Sequence, residues 1–119
     1  MNIEIRTDKN IQNNERLISY VRAELGQEFQ RHAERITHFS VHFSDENGDK
    51  GGDDDIRCMI EARPKGLKPV AVNHKAKNVD IAFHGAMDKL GRSLEHLFEK
   101  IDDPRGAAPE LIDNDEEEA

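Results

Sequence analysis

The stretch 78–101 constrains the fold of this chain more than any other. Its apolar residues recur at steps of three and four, which is the spacing of one stripe along a helix. They are Val79, Phe83, Ala86, Met87, Leu90, Leu94, Leu97, Phe98 and Ile101. Asn78 is a preferred N-cap residue, Asp80 suits the first turn, and Pro104 limits any continuation. The pattern predicts a helix about 36 Å long at 1.5 Å per residue, which the rest of the chain has to cover.

The two flanks of this predicted helix differ in charge. One flank carries Lys89, Arg92, His96 and Lys100, and the other carries Asp88, Glu95 and Glu99. Asp88 is also placed to pair with Arg92 four residues later. A basic row on one side of a helix can reach a phosphate backbone, whereas a solvated flank of mixed charge is the ordinary interpretation.

Upstream of the long helix, apolar residues alternate with polar ones and predict four strands. The inward positions are Ile3 and Ile5, then Phe39, Val41 and Phe43, then Ile56, Cys58, Ile60 and Ala62, and finally Val70 and Val72. Between the first two strands, Asn14 is a suitable cap for a helix whose apolar stripe runs from Leu17 to His32. The sequence Pro-Lys-Gly at 64–66 predicts a turn between the last two strands.

This order predicts an α+β fold of the type β-α-β-β-β-α. Three consecutive strands favour an antiparallel meander, and two amphipathic helices then cover one face of a four-stranded sheet in a two-layer sandwich. With 119 residues, 35% of them hydrophobic, the chain suits one small domain. We place that domain at residues 1–101 and predict a disordered acidic tail at 102–119, because the tail lacks apolar periodicity.

The net charge of −8 is unevenly distributed along the chain. Residues 102–119 carry eight acidic residues against one arginine, and residues 45–55, predicted to be a mobile loop, carry six against one lysine. Outside these two segments the net charge is +4. A mildly basic body is compatible with binding to nucleic acid.

No pattern in the chain points to catalysis, and no metal or other cofactor is expected. The single cysteine, Cys58, cannot form an intrachain disulfide and falls on the inward side of its strand, where an inert thiol is expected. His38 and His42 are about 13 Å apart along an extended strand, too far to share one ion. No apolar run approaches the ~20 residues of a membrane span, and the start of the chain lacks a signal-peptide core. These features favour a non-enzymatic binding module in the cytoplasm, with no small-molecule substrate and no membrane partner.

The candidate ligands of a phosphate backbone are basic residues outside the apolar stripes. They are Lys65 and Lys68 around the turn, Lys75 and Lys77 in the connection to the long helix, Lys89, Arg92 and Lys100 on that helix, and Arg22 on the first helix. Tyr20 is the only tyrosine, and the phenylalanines fall on apolar stripes. With so few rings for base stacking, we expect RNA to be recognised by its backbone and shape.

The sequence at 78–94, NVDIAFHGAMDKLGRSL, resembles the start of the last helix in the bacterial ribosome hibernation-promoting factor and ribosome-associated inhibitor family. At its centre is the motif D-K-L-x-R-x-L, formed by Asp88, Lys89, Leu90, Arg92 and Leu94. The first strand, the opening of the first helix and the strand order are also similar, so the resemblance covers residues 1–101. It marks the chain as a divergent short member, without the second domain of the long form.

The resemblance implies a fold similar to a double-stranded-RNA-binding domain, and binding to the small ribosomal subunit in the channel that mRNA and tRNA use. It also implies that the protein silences ribosomes under stress or in stationary phase, with Lys89 and Arg92 facing ribosomal RNA. We expect a monomer. The alternative is a protein-interaction or regulatory domain of the same fold with a diluted RNA-binding surface. It is suggested by the acidic segment 45–55 and by a last helix with fewer basic residues than is usual in the family.

Overall fold

Four strands and two long helices occur in the order expected from the sequence. The computed structural model describes residues 2–8, 11, 15–45 and 56–103. Its elements are β1 (Asn2–Thr7), α1 (Glu15–Glu28), a short 3-10 helix (Gln30–His32), β2 (Ile36–Asp45), β3 (Ile56–Pro64), β4 (Val70–Ala76) and α2 (Val79–Asp102). The predicted α+β fold is therefore confirmed.

The strands form one sheet in the order β1-β2-β3-β4. β1 is parallel to β2, with α1 as the crossover between them, while β2, β3 and β4 form the expected antiparallel meander. One row of register partners across all four strands consists of Ile5, Val41, Ile60 and Val72. The inward positions predicted from the alternating pattern therefore align on one face of the sheet.

The two helices cover this apolar face and leave the opposite face uncovered. α2 packs on β3 and β4, and its Leu90 is fully buried, as are Val41 and Ile60 of the sheet. α1 lies beside α2, where the ring centroids of Tyr20 and Phe83 are 6.1 Å apart. Burying an apolar side chain of this size stabilises the fold by about 1.5–3 kcal/mol. The layer between helices and sheet is thus the main source of stability.

The long helix predicted from the apolar stripe is present as α2. Asn78 is its N-cap, because the side-chain oxygen accepts a hydrogen bond of 2.8 Å from the backbone N–H of Ile81. The helix has 24 residues and ends at Asp102, one residue beyond the predicted end. The start of α2 is therefore determined by the capping residue Asn78, which could be recognised in the sequence.

The strand before this helix is longer than expected. It continues to Ala76, which is buried. Lys75 is therefore an exposed strand residue, and the connection to α2 consists of Lys77 and Asn78 alone. The expectation that Lys75 lies in the connection is wrong, because the alternation of inward and outward side chains that includes Val72 continues to Ala76.

The turn predicted at 64–66 is present. The backbone N–H of Leu67 donates to the backbone oxygen of Pro64 at 3.2 Å. Gly66 has a φ of 72°, a conformation that glycine adopts without steric cost. The turn leaves Lys65 and Lys68 exposed at one end of the sheet.

Three sequence predictions lie outside the described residues. They are the N-cap at Asn14, the loop at 46–55 and the tail from Pro104 onward. Asp45 and Asp102, which were assigned to the loop and the tail, belong to β2 and α2.

Candidate nucleic-acid interface

Several acidic residues of α2 are paired with residues of α1 and of the segment that follows it. Three of its acidic residues contact side chains of α1 and of the segment that follows α1: Asp80 with Tyr20, Glu95 with Arg31, and Asp102 with Arg35. The Arg35 guanidinium donates to both carboxylate oxygens of Asp102, at 3.1 and 3.2 Å. Three of the five carboxylates of α2 therefore point toward α1, whereas Asp88 and Glu99 are exposed.

Tyr20 links the two helices near the start of α2. Its hydroxyl donates to Asp80 Oδ1 at 3.0 Å and lies 2.7 Å from His84 Nε2. Burial raises the pKa of Tyr20, and the hydrogen bond to Asp80 and the negative charges of Asp80 and Glu24 act in the same direction. The hydroxyl consequently stays protonated at neutral pH and keeps its role as a donor.

The opposite side of α2 lies over the free edge of β4. Lys89 shows this placement, because its Nζ donates a hydrogen bond of 2.9 Å to the backbone oxygen of Asn73. Arg92 and Lys100 lie on the same flank at helical spacing. We call the basic residues of this flank, of β4 and of the adjoining turn and connection the basic edge: Lys65, Lys68, Lys75, Lys77, Lys89, Arg92 and Lys100.

The basic edge extends along the length of the domain. Because only two residues connect β4 to α2, the helix folds back over the strand, and its C-terminal end comes to the beginning of β4. Arg35 contacts both elements at this end of the domain. Its backbone oxygen accepts a hydrogen bond from the N–H of Lys65 at 2.9 Å, and its guanidinium pairs with Asp102 of α2. The two ends of the basic edge are thus Lys65, Lys68 and Lys100 on one side, and Lys75 and Lys77 on the other.

Most of the basic edge is open to solvent. All of its members except Lys89 are exposed. Arg92 makes no ion pair with another residue in the described part of the chain, so the expected pair with Asp88 is wrong. An exposed pair at this spacing contributes only a few tenths of a kcal/mol, about 0.3–0.5, which is little to hold two long side chains together. The guanidinium of Arg92 is therefore available for a bidentate hydrogen-bonding contact with a phosphate group.

Lys89 is not the fully exposed side chain that the sequence suggested. It is half-buried, and its ammonium group donates to the backbone oxygen of Asn73. The ammonium group has three donors in all, and only one is needed for this bond. Lys89 therefore combines a structural contact with the capacity to meet a phosphate.

Arg22 lies apart from the other candidates. Its Nη1 donates to the backbone oxygen of Ile3 in β1 at 3.0 Å. β1 is the edge strand on the far side of the sheet from β4. The structure therefore brings together seven of the eight candidates and leaves Arg22 at the opposite edge.

The uncovered face of the sheet carries charges of both signs, some of them in ion pairs. Arg6 lies 3.5 Å from Glu4, and Arg63 lies 3.5 Å from Glu61. His38 lies 3.7 Å from the same Glu4. Exposed pairs of this kind contribute little stability, but they prevent a field of one sign. The basic edge differs from this face because it brings seven basic side chains into one row, whereas Arg6 and Arg63 are paired with glutamates.

No sequence pattern identified Arg31 and Arg35 as functional residues. The two residues are four apart, and their partners Glu95 and Asp102 are seven apart, which is two turns on one side of α2. Matching spacings are thus present in the sequence. They identify no partner, because the sequence does not show which flank of α2 meets α1.

The remaining chemically reactive groups are the single cysteine and the possible metal ligands. Cys58 is fully buried in β3, and burial raises the pKa of its thiol, as expected for an inert cysteine. Within residues 2–8, 11, 15–45 and 56–103, no group of three His, Cys, Asp or Glu residues could hold a metal ion. No helix in these ranges is long and apolar enough to cross a membrane.

Comparison with known proteins places this geometry in context. Residues 3–102 match the family described as Sigma 54 modulation protein / S30EA ribosomal protein. The fold is similar to the Thermus thermophilus Protein Y N-terminal domain, with a TM-score of 0.65 and 20% identity over 81% of this chain and 98% of that one. It is also similar to a ribosomal subunit interface protein from Coxiella burnetii, with a TM-score of 0.64 and 14% identity over 84% of this chain and 100% of that one. No curated protein sequence matches significantly.

Proposed function

This chain belongs to the Sigma 54 modulation protein / S30EA ribosomal protein family, and we propose on that basis that it binds the small ribosomal subunit and silences translation under stress or in stationary phase. It acts in the cytoplasm as a monomer and catalyses no reaction. Its partner surface is ribosomal RNA. The solved structure of a ribosomal subunit interface protein with the same fold supports this reading.

The basic edge is the observation that carries the proposal. Seven lysine and arginine side chains follow one margin of the domain, and α1 draws three acidic residues of α2 to the other side. Such a row matches the regularly spaced charges of a phosphate backbone. Because no aromatic ring belongs to it, recognition depends on backbone and shape rather than on base stacking.

The eight residues proposed from the sequence divide into two groups under this function. Those of the basic edge contact phosphate groups directly. Arg22 adds to the electrostatic field from the far side of the domain, because its guanidinium is already bound to Ile3. Residues 1–101 form the RNA-binding domain, and the acidic segment that follows α2 lowers the affinity by repelling RNA.

Co-sedimentation with purified small subunits and with 70S particles, over a range of salt concentrations, tests the proposal. The bound fraction should fall steeply as salt rises, because each phosphate contact releases counterions. Arg92→Gln combined with Lys100→Gln should weaken binding and reduce the slope of log K against log salt by nearly two. Arg6→Gln combined with Arg16→Gln removes the same charge outside the basic edge and should leave that slope nearly unchanged.

Two results would contradict the proposal. One is an absence of association with small subunits even at low salt. The other is association that does not change with salt, which would indicate a mainly apolar protein contact and favour the protein-interaction alternative.

A further inference from the structure

We infer that Arg31 and Arg35 are positioning residues for RNA binding: they act by neutralising Glu95 and Asp102 on α2, without contacting RNA themselves. The inference rests on the proposed function and names two residues outside the basic edge. Its basis is the pair of contacts between Arg31 and Glu95 and between Arg35 and Asp102.

The need for neutralisation follows from the composition of α2. The helix Val79–Asp102 contains five acidic and three basic residues, so its own net charge is −2 with histidine neutral. A helix with this charge would by itself repel a phosphate backbone. Arg31 and Arg35 supply two positive charges against its acidic side and bring the sum to zero.

The position of Glu95 on α2 allows this effect. Glu95 lies three residues after Arg92, so the two side chains are neighbours on the helix surface, and the screening length at 0.1 M salt is about 10 Å. The charge of an unpaired Glu95 would therefore weaken the field at Arg92. Arg31 pairs with Glu95 from the α1 side of the helix, so it does not share a phosphate with the basic edge.

The two contacts differ in how far they also support the fold. Arg35 donates twice to Asp102, and its guanidinium carbon lies 4.1 Å from the centroid of the Phe98 ring. Replacing Arg35 would therefore disturb packing as well as charge. The Arg31 side chain is 67% exposed and its described contact is the pair with Glu95, so Arg31 gives the cleaner test.

A double-mutant cycle on Arg31 and Glu95 distinguishes neutralisation of Glu95 by Arg31 from a direct contact of Arg31 with RNA. In co-sedimentation with purified small subunits at about 0.1 M salt, Arg31→Gln should weaken binding about two- to fivefold, because the negative charge of Glu95, three residues from Arg92, is left uncompensated. Arg31→Lys should restore binding. Glu95→Gln should strengthen it, and adding Arg31→Gln in the Glu95→Gln background should return binding to about the wild-type level, because both charges of the pair are then absent.

Arg16→Gln is the matched control. It removes the same charge at an exposed residue of α1 that has no acidic partner in the described part of the chain. It should change binding less than Arg31→Gln. Circular dichroism and thermal unfolding check that all variants are folded.

The outcomes distinguish this inference from the proposed function. If the double variant Arg31→Gln, Glu95→Gln binds markedly more weakly than the wild-type protein, then Arg31 contacts RNA or acts through the fold, and the inference is wrong. An unchanged affinity of Arg31→Gln would also overturn it. If the wild-type protein does not bind small subunits at all, the proposed function fails, and the inference fails with it.

Discussion

Gly85 of α2 lies directly against the imidazole ring of His74 in β4: a Cβ atom added at Gly85 would be 2.2 Å from Cδ2 and 2.6 Å from Cγ of that ring. Real atoms do not approach so closely, so any larger residue at this position must displace the ring. This glycine therefore sets how near α2 comes to the edge of the sheet.

Gly85→Ala should lower the free energy of unfolding by about 1–3 kcal/mol, the usual cost of overpacking, even though alanine favours helix by up to about 1 kcal/mol. Urea titration measures the change. Gly26→Ala is the matched control, because nothing lies within 4 Å of an added Cβ there, and it should stabilise the protein. In a His74→Ala background the cost of Gly85→Ala should largely disappear. An undiminished cost in that background would show that the contact with the ring is not its cause.

Lys89 and Arg92 should respond differently to replacement by methionine, which keeps the stem and removes the charge. Lys89→Met should cost about 1 kcal/mol of stability, because the backbone oxygen of Asn73 loses its donor. Arg92→Met should stay within about 0.5 kcal/mol, since Arg92 is exposed. Urea unfolding gives both values, and equal effects would contradict the structure at Lys89. In small-subunit binding, Arg92→Met should reduce the salt slope by nearly one.

His32 should make stability depend on pH below neutrality. Burial lowers the pKa of His32 from its ordinary value of 6.5, and the neighbouring Arg31 and Arg35 charges add to the effect. The unfolded chain therefore takes up a proton near pH 6.5 that the folded protein takes up only at lower pH, so stability should fall as the pH drops from 7 towards the folded pKa. His32→Gln should flatten this part of the curve in urea titrations, while His42→Gln on the uncovered face serves as the control. A curve that His32→Gln leaves unchanged would contradict this assignment.

Removing the acidic C-terminal segment should affect binding and not folding. Residues 104–119 carry six acidic residues and one arginine. Truncation after Asp103 removes a net charge of −5, and we expect unchanged thermal unfolding together with tighter binding to small subunits at low salt. The gain should shrink as salt is added, because the repulsion is screened. Weaker binding after truncation would instead indicate that the segment has a partner of its own on the ribosome.

The elements of the fold could be predicted because local periodicity determines them. The stripe from Val79 to Ile101 and the alternation around Val41 and Ile60 directly report the faces that are buried. Asn78 and Gly66 marked a helix start and a turn by their own backbone and side-chain preferences. These signals lie within a few residues of the structure that they specify.

The site could be predicted only as a set of charges. Three features of the site depend on how the helices lie on the sheet. They are the hydrogen bond from Lys89 to Asn73, the hydrogen bond from Arg22 to Ile3, and the contacts of α1 with acidic residues of α2. No local pattern encodes that placement. For the same reason the sequence could not separate Arg22 from the basic edge, because the separation arises from the order of the strands.

Each margin of the sheet is occupied by a side chain from one of the helices. Arg22 of α1 binds a carbonyl of β1, and Lys89 of α2 binds a carbonyl of β4. Outer strands with free carbonyl groups are where β-sheets recruit foreign strands and begin to aggregate, and a positive charge at such a strand opposes this. The two contacts therefore oppose edge-to-edge pairing between copies of the domain.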